Sequence, residues 1–206
     1  MSDFRLVCSN RSNLHGSFAV YQSPPPGNSP GRLINLAWIA RPCAPNCRVS
    51  FSWSTTLSFT WGAAGSLRRG VVFEESQSVD GDPMRENMID LAQDQFGAPV
   101  FQNLRVGGPP GTMTINQLSN VFDFPVLVGV GMGGKPAYAV EASPNLSTCF
   151  MPHEASYWVI FGAYTAGEVF DTESISGALE VSFSRMAPTQ SVVLSMDNIL
   201  HLGSGN

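Results

Sequence analysis

Val49-Ser50-Phe51-Ser52-Trp53-Ser54, a short polar turn, and then Leu57-Ser58-Phe59-Thr60-Trp61: large apolar side chains alternate with hydroxyls along both halves of this stretch. A strand sends successive side chains to opposite faces, whereas a helix repeats every 3.6 residues, so a period of two reads as extended chain. The spacing predicts a hairpin with one aromatic face for the core and one hydroxyl face for solvent. Val181 and Phe183 repeat the pattern against Ser182 and Ser184.

On either side of this stretch, further strand candidates fall at 4–8, 17–22, 33–40, 71–75, 100–104, 112–116, 126–130, 138–142, 157–161 and 191–196. Gly, Pro, Asn and Ser punctuate them. About a dozen short strands so separated argue for an all-β fold, an antiparallel β-sandwich or flattened barrel, with at most one or two short helices. The one helical candidate covers residues 84–95, with Asp82 as its cap, Pro83 at the first helical position, and Gly97 and Pro99 as stops. A strand over 87–92 is the competing reading. No linker, charge run or repeat divides the chain, which predicts one domain over 1–206.

At 206 residues the chain is long enough to bury a core without help from metal or disulfide. Charged residues make up only 13%, about half the usual share, so Ser, Thr, Asn, Gln and Gly must fill the outward positions. Eleven basic against sixteen acidic residues leave a net charge of −5 and a pI near 5.1. Nucleic acid binding needs a basic footprint that displaces counterions, and the composition offers none. Anionic membranes are disfavoured for the same reason. Copies of such a chain repel one another weakly, most weakly near pH 5. The longest apolar stretches, near 126–132 and 157–163, are too short to span a bilayer. Met1 to Leu6 lack the basic and apolar regions of a secretory leader, so the expectation is a cytoplasmic protein or one exported by a non-classical route.

Chemistry-bearing motifs are few. Gly129, Gly131 and Gly134 carry the spacing of a dinucleotide-binding turn, but another strand candidate comes next, where that motif requires a helix N-terminus. A bulged strand and hairpin turn are the better reading. His15, His153 and His201 sit in unrelated settings. Cys149 with His153 could pair as nucleophile and base, yet nothing in the sequence supplies an orienting group. Glu74-Glu75, Asp80 with Asp82, and Asp171 with Glu173 read as polar loops; Asp80 and Asp82 lack the rest of a calcium-loop pattern. Trp38, Trp53, Trp61 and Trp158 lie in apolar runs, where core packing is the default over sugar stacking. No cofactor, metal or catalytic set is therefore expected.

The cysteines leave more open. Cys43-Ala44-Pro45-Asn46-Cys47 reads as an exposed loop, while Cys8 and Cys149 sit in or near strands and read as buried. A zinc site would want a second pair at similar spacing, which Cys8 and Cys149 do not provide. Free thiols, a bridge within the chain and a bridge between chains all remain possible.

The strings Leu36-Ala37-Trp38-Ile39-Ala40-Arg41-Pro42, Phe51-Ser52-Trp53 with Phe59-Thr60-Trp61-Gly62, and Pro152-His153 with Tyr157-Trp158-Val159-Ile160-Phe161-Gly162 through Gly167-Glu168-Val169 resemble the rhizosphere-expressed RhiA-like family of bacteria, which has relatives in fungi. The resemblance runs from about residue 15 to residue 200, on motifs that look like core and turn signatures, and Cys43 and Cys47 have no place in the bacterial pattern. It implies no catalytic site. A fungal branch is similar to octin-like proteins of dense vacuolar crystals, and that likeness implies a vacuolar location. Sparse charge, a pI near vacuolar acidity and available thiols agree with it. The expected function is a non-enzymatic, self-assembling structural protein, its partner itself, packing in mild acid and cross-linked through Cys43, Cys47, Cys8 or Cys149. The rival expectation is a secreted or surface module that binds carbohydrate or a host partner.

Overall fold

The computed structural model describes residues 3–23, 34–63, 70–119, 122–152, 156–170 and 177–203. The Pro-rich loop after Ser23, His153, Asp171 and Glu173 lie outside the described residues. In chain order the strands are β1 (Asp3–Asn10), β2 (Gly16–Ser23), β3 (Ile34–Leu36), β4 (Ile39–Cys43), β5 (Arg48–Ser54), β6 (Leu57–Ala63), β7 (Gln77–Gly81), β8 (Met88–Gln93), β9 (Pro99–Arg105), β10 (Met113–Gln117), β11 (Val126–Met132), β12 (Lys135–Glu141), β13 (Ser147–Phe150), β14 (Ser156–Gly162), β15 (Val169–Phe170), β16 (Leu179–Val181), β17 (Thr189–Leu194) and β18 (Leu200–Leu202). They form a six-stranded sheet, β15-β3-β12-β11-β6-β7, and three four-stranded sheets, β18-β17-β1-β5, β16-β14-β2-β4 and β13-β10-β8-β9. The fold is all-β, sandwich-like and open at its sheet edges. Most pairings are antiparallel; β1 with β17 and β8 with β10 are parallel.

The predicted hairpin over 49–61 does not form. β5 pairs with β1, and β6 pairs with β11 and β7, so the polar turn carries the chain around a corner from one sheet to another. Corners of this kind join packed sheets. Phe51, Trp53, Leu57, Phe59 and Trp61 do face the core. The hydroxyl face survives only on β5, where Ser52 is exposed; on β6, Ser58 and Thr60 are buried. They are covered because the six-stranded sheet is packed on both sides, with Ile34, Leu36, Phe73, Leu127, Ala139 and Val169 forming a second apolar layer. Strands buried on both faces lose the alternation of apolar and polar residues, as β11 shows.

The strand predicted over 33–40 also breaks into two, β3 and β4, which belong to different sheets. The break is held by Trp38, whose indole N–H donates to the Met132 carbonyl at 3.1 Å, and by Ala37, paired through its backbone with Gly167 and Glu168. Residues 71–75 contribute only an isolated bridge, Val72 with Glu168. Trp38, Trp53 and Trp61 are all buried, as expected of core residues.

The helix predicted over 84–95 is a strand. Asp82 does cap a turn, with Oδ1 accepting from the Met84 amide at 2.8 Å, but the turn closes at Glu86, and β8 comes next. Helix propensity in Met, Glu and Gln yields here to packing: Ile89 and Leu91 alternate inward from β8 into the core. Gly97 and Pro99 punctuate a β8–β9 hairpin, with Gly97 at φ +84° and Asp94 Oδ1 accepting from the Phe96 and Ala98 amides.

The segment that covers the six-stranded sheet brings in Glu75, whose Oε2 is buried with no hydrogen-bond partner among the described residues. Burial pushes this carboxyl above its ordinary value. A raised carboxyl disfavours the folded state where it is ionised, so stability should rise as pH falls through that raised value and level off below the unfolded one. Glu75→Gln should therefore raise Tm at pH 7 by on the order of 1–3 °C and leave it unchanged at pH 4. Thermal melts at the two pH values check this; an equal gain at both would disprove it.

Candidate functional site

The end of the sheet where β1, β5, β17 and β18 terminate gathers three of the four cysteines. Asn10, 1% exposed at the end of β1, organises it. Its amide N–H donates to the Cys47 carbonyl at 2.9 Å, and its Nδ2 donates to the Leu14 carbonyl at 2.8 Å and the Cys43 carbonyl at 3.1 Å. Its Oδ1 accepts from the Ser12 amide and hydroxyl. One buried asparagine thus pins the 11–14 loop and the Cys43–Cys47 turn to β1, and Asn46 at φ +59° lets that turn close. All four cysteines are free thiols. Cys47 is exposed, as read from the sequence, but Cys43 is buried, because its position at the end of β4 turns its side chain into the core beside Cys8. Cys149, expected to be buried, is half-buried on β13, an edge strand of another sheet.

Beside Cys47, a cavity of about 440 Å³ is lined by Ser9, Arg11, Arg48 and Met196 among others. Met196 belongs to the β17–β18 turn, closed by the Ser195 amide on the Ile199 carbonyl at 2.9 Å and by Asn198 at φ +61°. That turn and the edge strand behind it hold Met196, Ile199 and Leu202 at 64%, 55% and 59% exposure. Large apolar side chains scattered singly are ordinary; here three fall within residues 196–202 and leave apolar area uncovered at a sheet edge. Sequence reading located the strand over 191–196 but not this hairpin, because β18 is only three residues long.

At the opposite ends of β1 and β5 an aromatic cluster has formed. Phe4, Trp53, Tyr157 and Phe183 pack ring to ring at centroid distances of 5.1–6.3 Å. The Tyr157 hydroxyl donates to Met132 Sδ at 3.2 Å. Burial pushes that phenol up, and the Trp53 indole N–H opposes the rise. Phe4, Tyr157, Phe183 and Met132 floor an open basin of about 430 Å³ with Glu180 and Arg185 on its rim. The alternation in the sequence marked the segments that carry the rings; only the packing of β1, β5, β14 and the segment after β16 brings them together.

Among the described residues, the other candidates are not brought together into a chemical site. His15 and His201 are exposed on separate elements. The Asp82 carboxylate is engaged by its own turn. No group of three or more His, Cys, Asp or Glu among the described residues is placed to hold a metal ion. No helix of the described structure is long and apolar enough to cross a membrane. Gly129, Gly131 and Gly134 lie in the β11–β12 hairpin, with a bulge between Val130 and Gly131 and with Gly133 and Gly134 at positive φ, as the bulged-strand reading requires.

The fold and these surfaces define an all-β protein whose distinctive features are an aromatic core shared by four sheets, an apolar edge hairpin and a cluster of thiols. The chain belongs to the RhiA family, whose model matches residues 2–204. It is 29% identical over 203 residues to Protein RhiA of Rhizobium leguminosarum bv. viciae, covering 96% of this chain and 84% of that protein. No solved structure matches it.

Proposed function

We propose that this chain is a non-enzymatic structural protein that packs with copies of itself into dense particles as the solution becomes mildly acidic. The observation that carries the reading is the β17–β18 edge hairpin, with Met196, Ile199 and Leu202 exposed on a chain whose charged residues are only 13%. Contact between two such edges buries apolar side chains, and a net charge of −5 at pH 7 supplies the main opposing force. Protonation toward the pI near 5.1 removes that force. Cys47, exposed and lining the same cavity as Met196, would lock a contact once formed. An acidic vacuole would supply the required pH.

Light scattering and size exclusion from pH 7.5 to 4.5, with and without reductant, test the proposal. The wild type should grow in mass as pH falls, and the double variant Ile199→Ser/Leu202→Ser, which removes the apolar contact and leaves the net charge at −5, should stay monomeric. A wild-type monomer at pH 5 would overturn the reading. The basin floored by Phe4, Tyr157 and Phe183, with Glu180 and Arg185 above it, favours a second reading, a surface module that binds carbohydrate. A selective glycan-array signal lost in Tyr157→Ala would choose it over assembly.

A further inference from the structure

Two crossings between sheets meet at one end of the core, and neither the apolar edge hairpin nor the aromatic basin uses the space they enclose. After β10 the chain leaves the β13-β10-β8-β9 sheet for β11 in the six-stranded sheet, and after β12 it crosses back to β13. The crossings are tied to each other and to both sheets. The Asn145 amide donates to the Leu118 carbonyl at 3.1 Å, the Leu118 amide to the Leu91 carbonyl at 3.1 Å, and the Ala142 amide to the Val126 carbonyl at 2.8 Å. Gln117, 2% exposed, braces the middle: its Nε2 donates to Thr148 Oγ1 at 2.8 Å, and its Oε1 accepts from the Ser143 amide. Such a frame of satisfied hydrogen bonds fixes the walls before any ligand arrives. Between the crossings lies a cavity of about 280 Å³. Leu91 from one sheet and Val126 from the other, both buried, line it with Phe122, which packs on the core, and with Phe124, 43% exposed. Among the described lining residues Asp123 is the one charged side chain, and it is exposed.

Apolar walls, a few placed polar groups and a preformed shape are what a small-molecule site requires. A cavity of about 150 Å³ with aliphatic and aromatic walls already takes benzene, so this one has room for a two-ring system but not for a length of peptide. Charge decides what else the ligand carries. A carboxylate in the lining, no basic side chain among the described residues around it, and a net charge of −5 favour an ammonium group and oppose an acid. We propose that this cavity between the sheets binds a small aromatic amine, its rings among Leu91, Val126 and Phe122 and its ammonium group at Asp123. The site rests neither on self-assembly nor on the basin floored by Phe4, and it is complete in a single copy of the chain.

The test is a saturation-transfer NMR titration of the full chain at pH 7.5 with tryptamine, indole and indole-3-acetate, one ring system bearing a cation, no charge and an anion. Tryptamine should bind roughly tenfold more tightly than indole-3-acetate, with indole between them, and the spread should close in 1 M NaCl. Asp123→Asn should bring all three to the level of indole. Ala142→Phe, which sets a ring in the cavity, should abolish binding of all three. If that variant fails to fold, Phe124→Ala, which removes an exposed wall, should still weaken tryptamine several-fold. No saturable binding of tryptamine, equal affinity for the three probes, or binding that survives both Ala142→Phe and Phe124→Ala overturns the proposal. Acid-induced growth in mass is a separate readout, so either proposal can fail while the other stands.

Discussion

Replacing Gly129 with alanine is expected to destabilise the domain by about 3 kcal/mol or more, the combined effect of overpacking and forced backbone movement. Gly129 sits in β11 between β6 and β12, opposite Thr60 on one side and Ala139 on the other. A Cβ there would lie 2.3 Å from the Tyr138 carbonyl oxygen and 2.9 Å from Ala139 Cα and Cβ. No flexible side chain can swing away, because the atoms it meets are backbone or joined directly to it. Tyr138 and Ala139 are themselves fully buried, so displacing β12 would disturb both apolar layers that cover this sheet. Gly134 provides the contrast. It lies at φ +74° with no atom within 4 Å of an added Cβ, so Gly134→Ala meets only the left-handed strain, about 1 kcal/mol. For a chain of this length the two losses correspond to falls in Tm of roughly 6–12 °C and 2–4 °C. Thermal unfolding followed by circular dichroism measures both. If the turn glycine proved the more sensitive of the two, the close approach of β11 to β12 would not be what fixes this motif.

That contrast also explains how the glycine motif could be read correctly without coordinates, while the hairpin over 49–61 could not. Gly134 leads directly into extended chain, and a pyrophosphate-binding turn needs a helix there, so a local fact settled the matter. Alternation likewise located most of the strands and the residues that face the core. Which strands pair is not local. The turn between Ser54 and Leu57 could close a hairpin or turn a corner, and the choice falls to the partners β1 and β11, which are remote in sequence. The same limit hid the burial of Ser58 and Thr60, since only the arrival of residues 70–76 and 167–169 covers that face. It also left β8 undecided between the helix over 84–95 and the strand over 87–92, and the strand wins once the inward demand of Ile89 and Leu91 is met. At the candidate site the exposed thiol was legible from its Pro- and Asn-containing turn. Burial of Cys43 was not, because it depends on β4 pairing with β2, which sets its side chain in the core with residues remote in sequence.

Asp90→Ala is expected to be nearly as damaging, at about 2–3 kcal/mol, because it strands several donors around one buried carboxylate. Asp90 is 6% exposed and accepts from Arg105 Nη2 at 2.8 Å, Asn103 Nδ2 at 3.0 Å and Asn116 Nδ2 at 3.1 Å. Ser147 extends the network by donating to Asn116 Oδ1 at 2.9 Å, so polar contacts cross β9, β8, β10 and β13 in turn. Burial pushes the Asp90 carboxyl up, but the hydrogen bonds from Arg105, Asn103 and Asn116, with the charge of Arg105, outweigh it and hold the group below its ordinary value. A depressed carboxyl stabilises the fold above its unfolded pKa and loses that contribution as pH falls through the folded one. The difference in Tm between wild type and Asp90→Ala, roughly 4–12 °C at pH 7, should therefore shrink once the solution is more acidic than the usual carboxylate range. Arg105 is 39% exposed, so Arg105→Ala loses a solvent-screened pair and should lower stability by less than about 1 kcal/mol. The two variants should also differ in salt. Screening by 1 M NaCl reaches the guanidinium but hardly the buried carboxylate, so the Asp90→Ala deficit should persist where the Arg105→Ala deficit fades. Equal deficits for the two, or one for Asp90→Ala that vanished in salt, would make this a surface ion pair and leave the asparagines without a role in holding the four strands together.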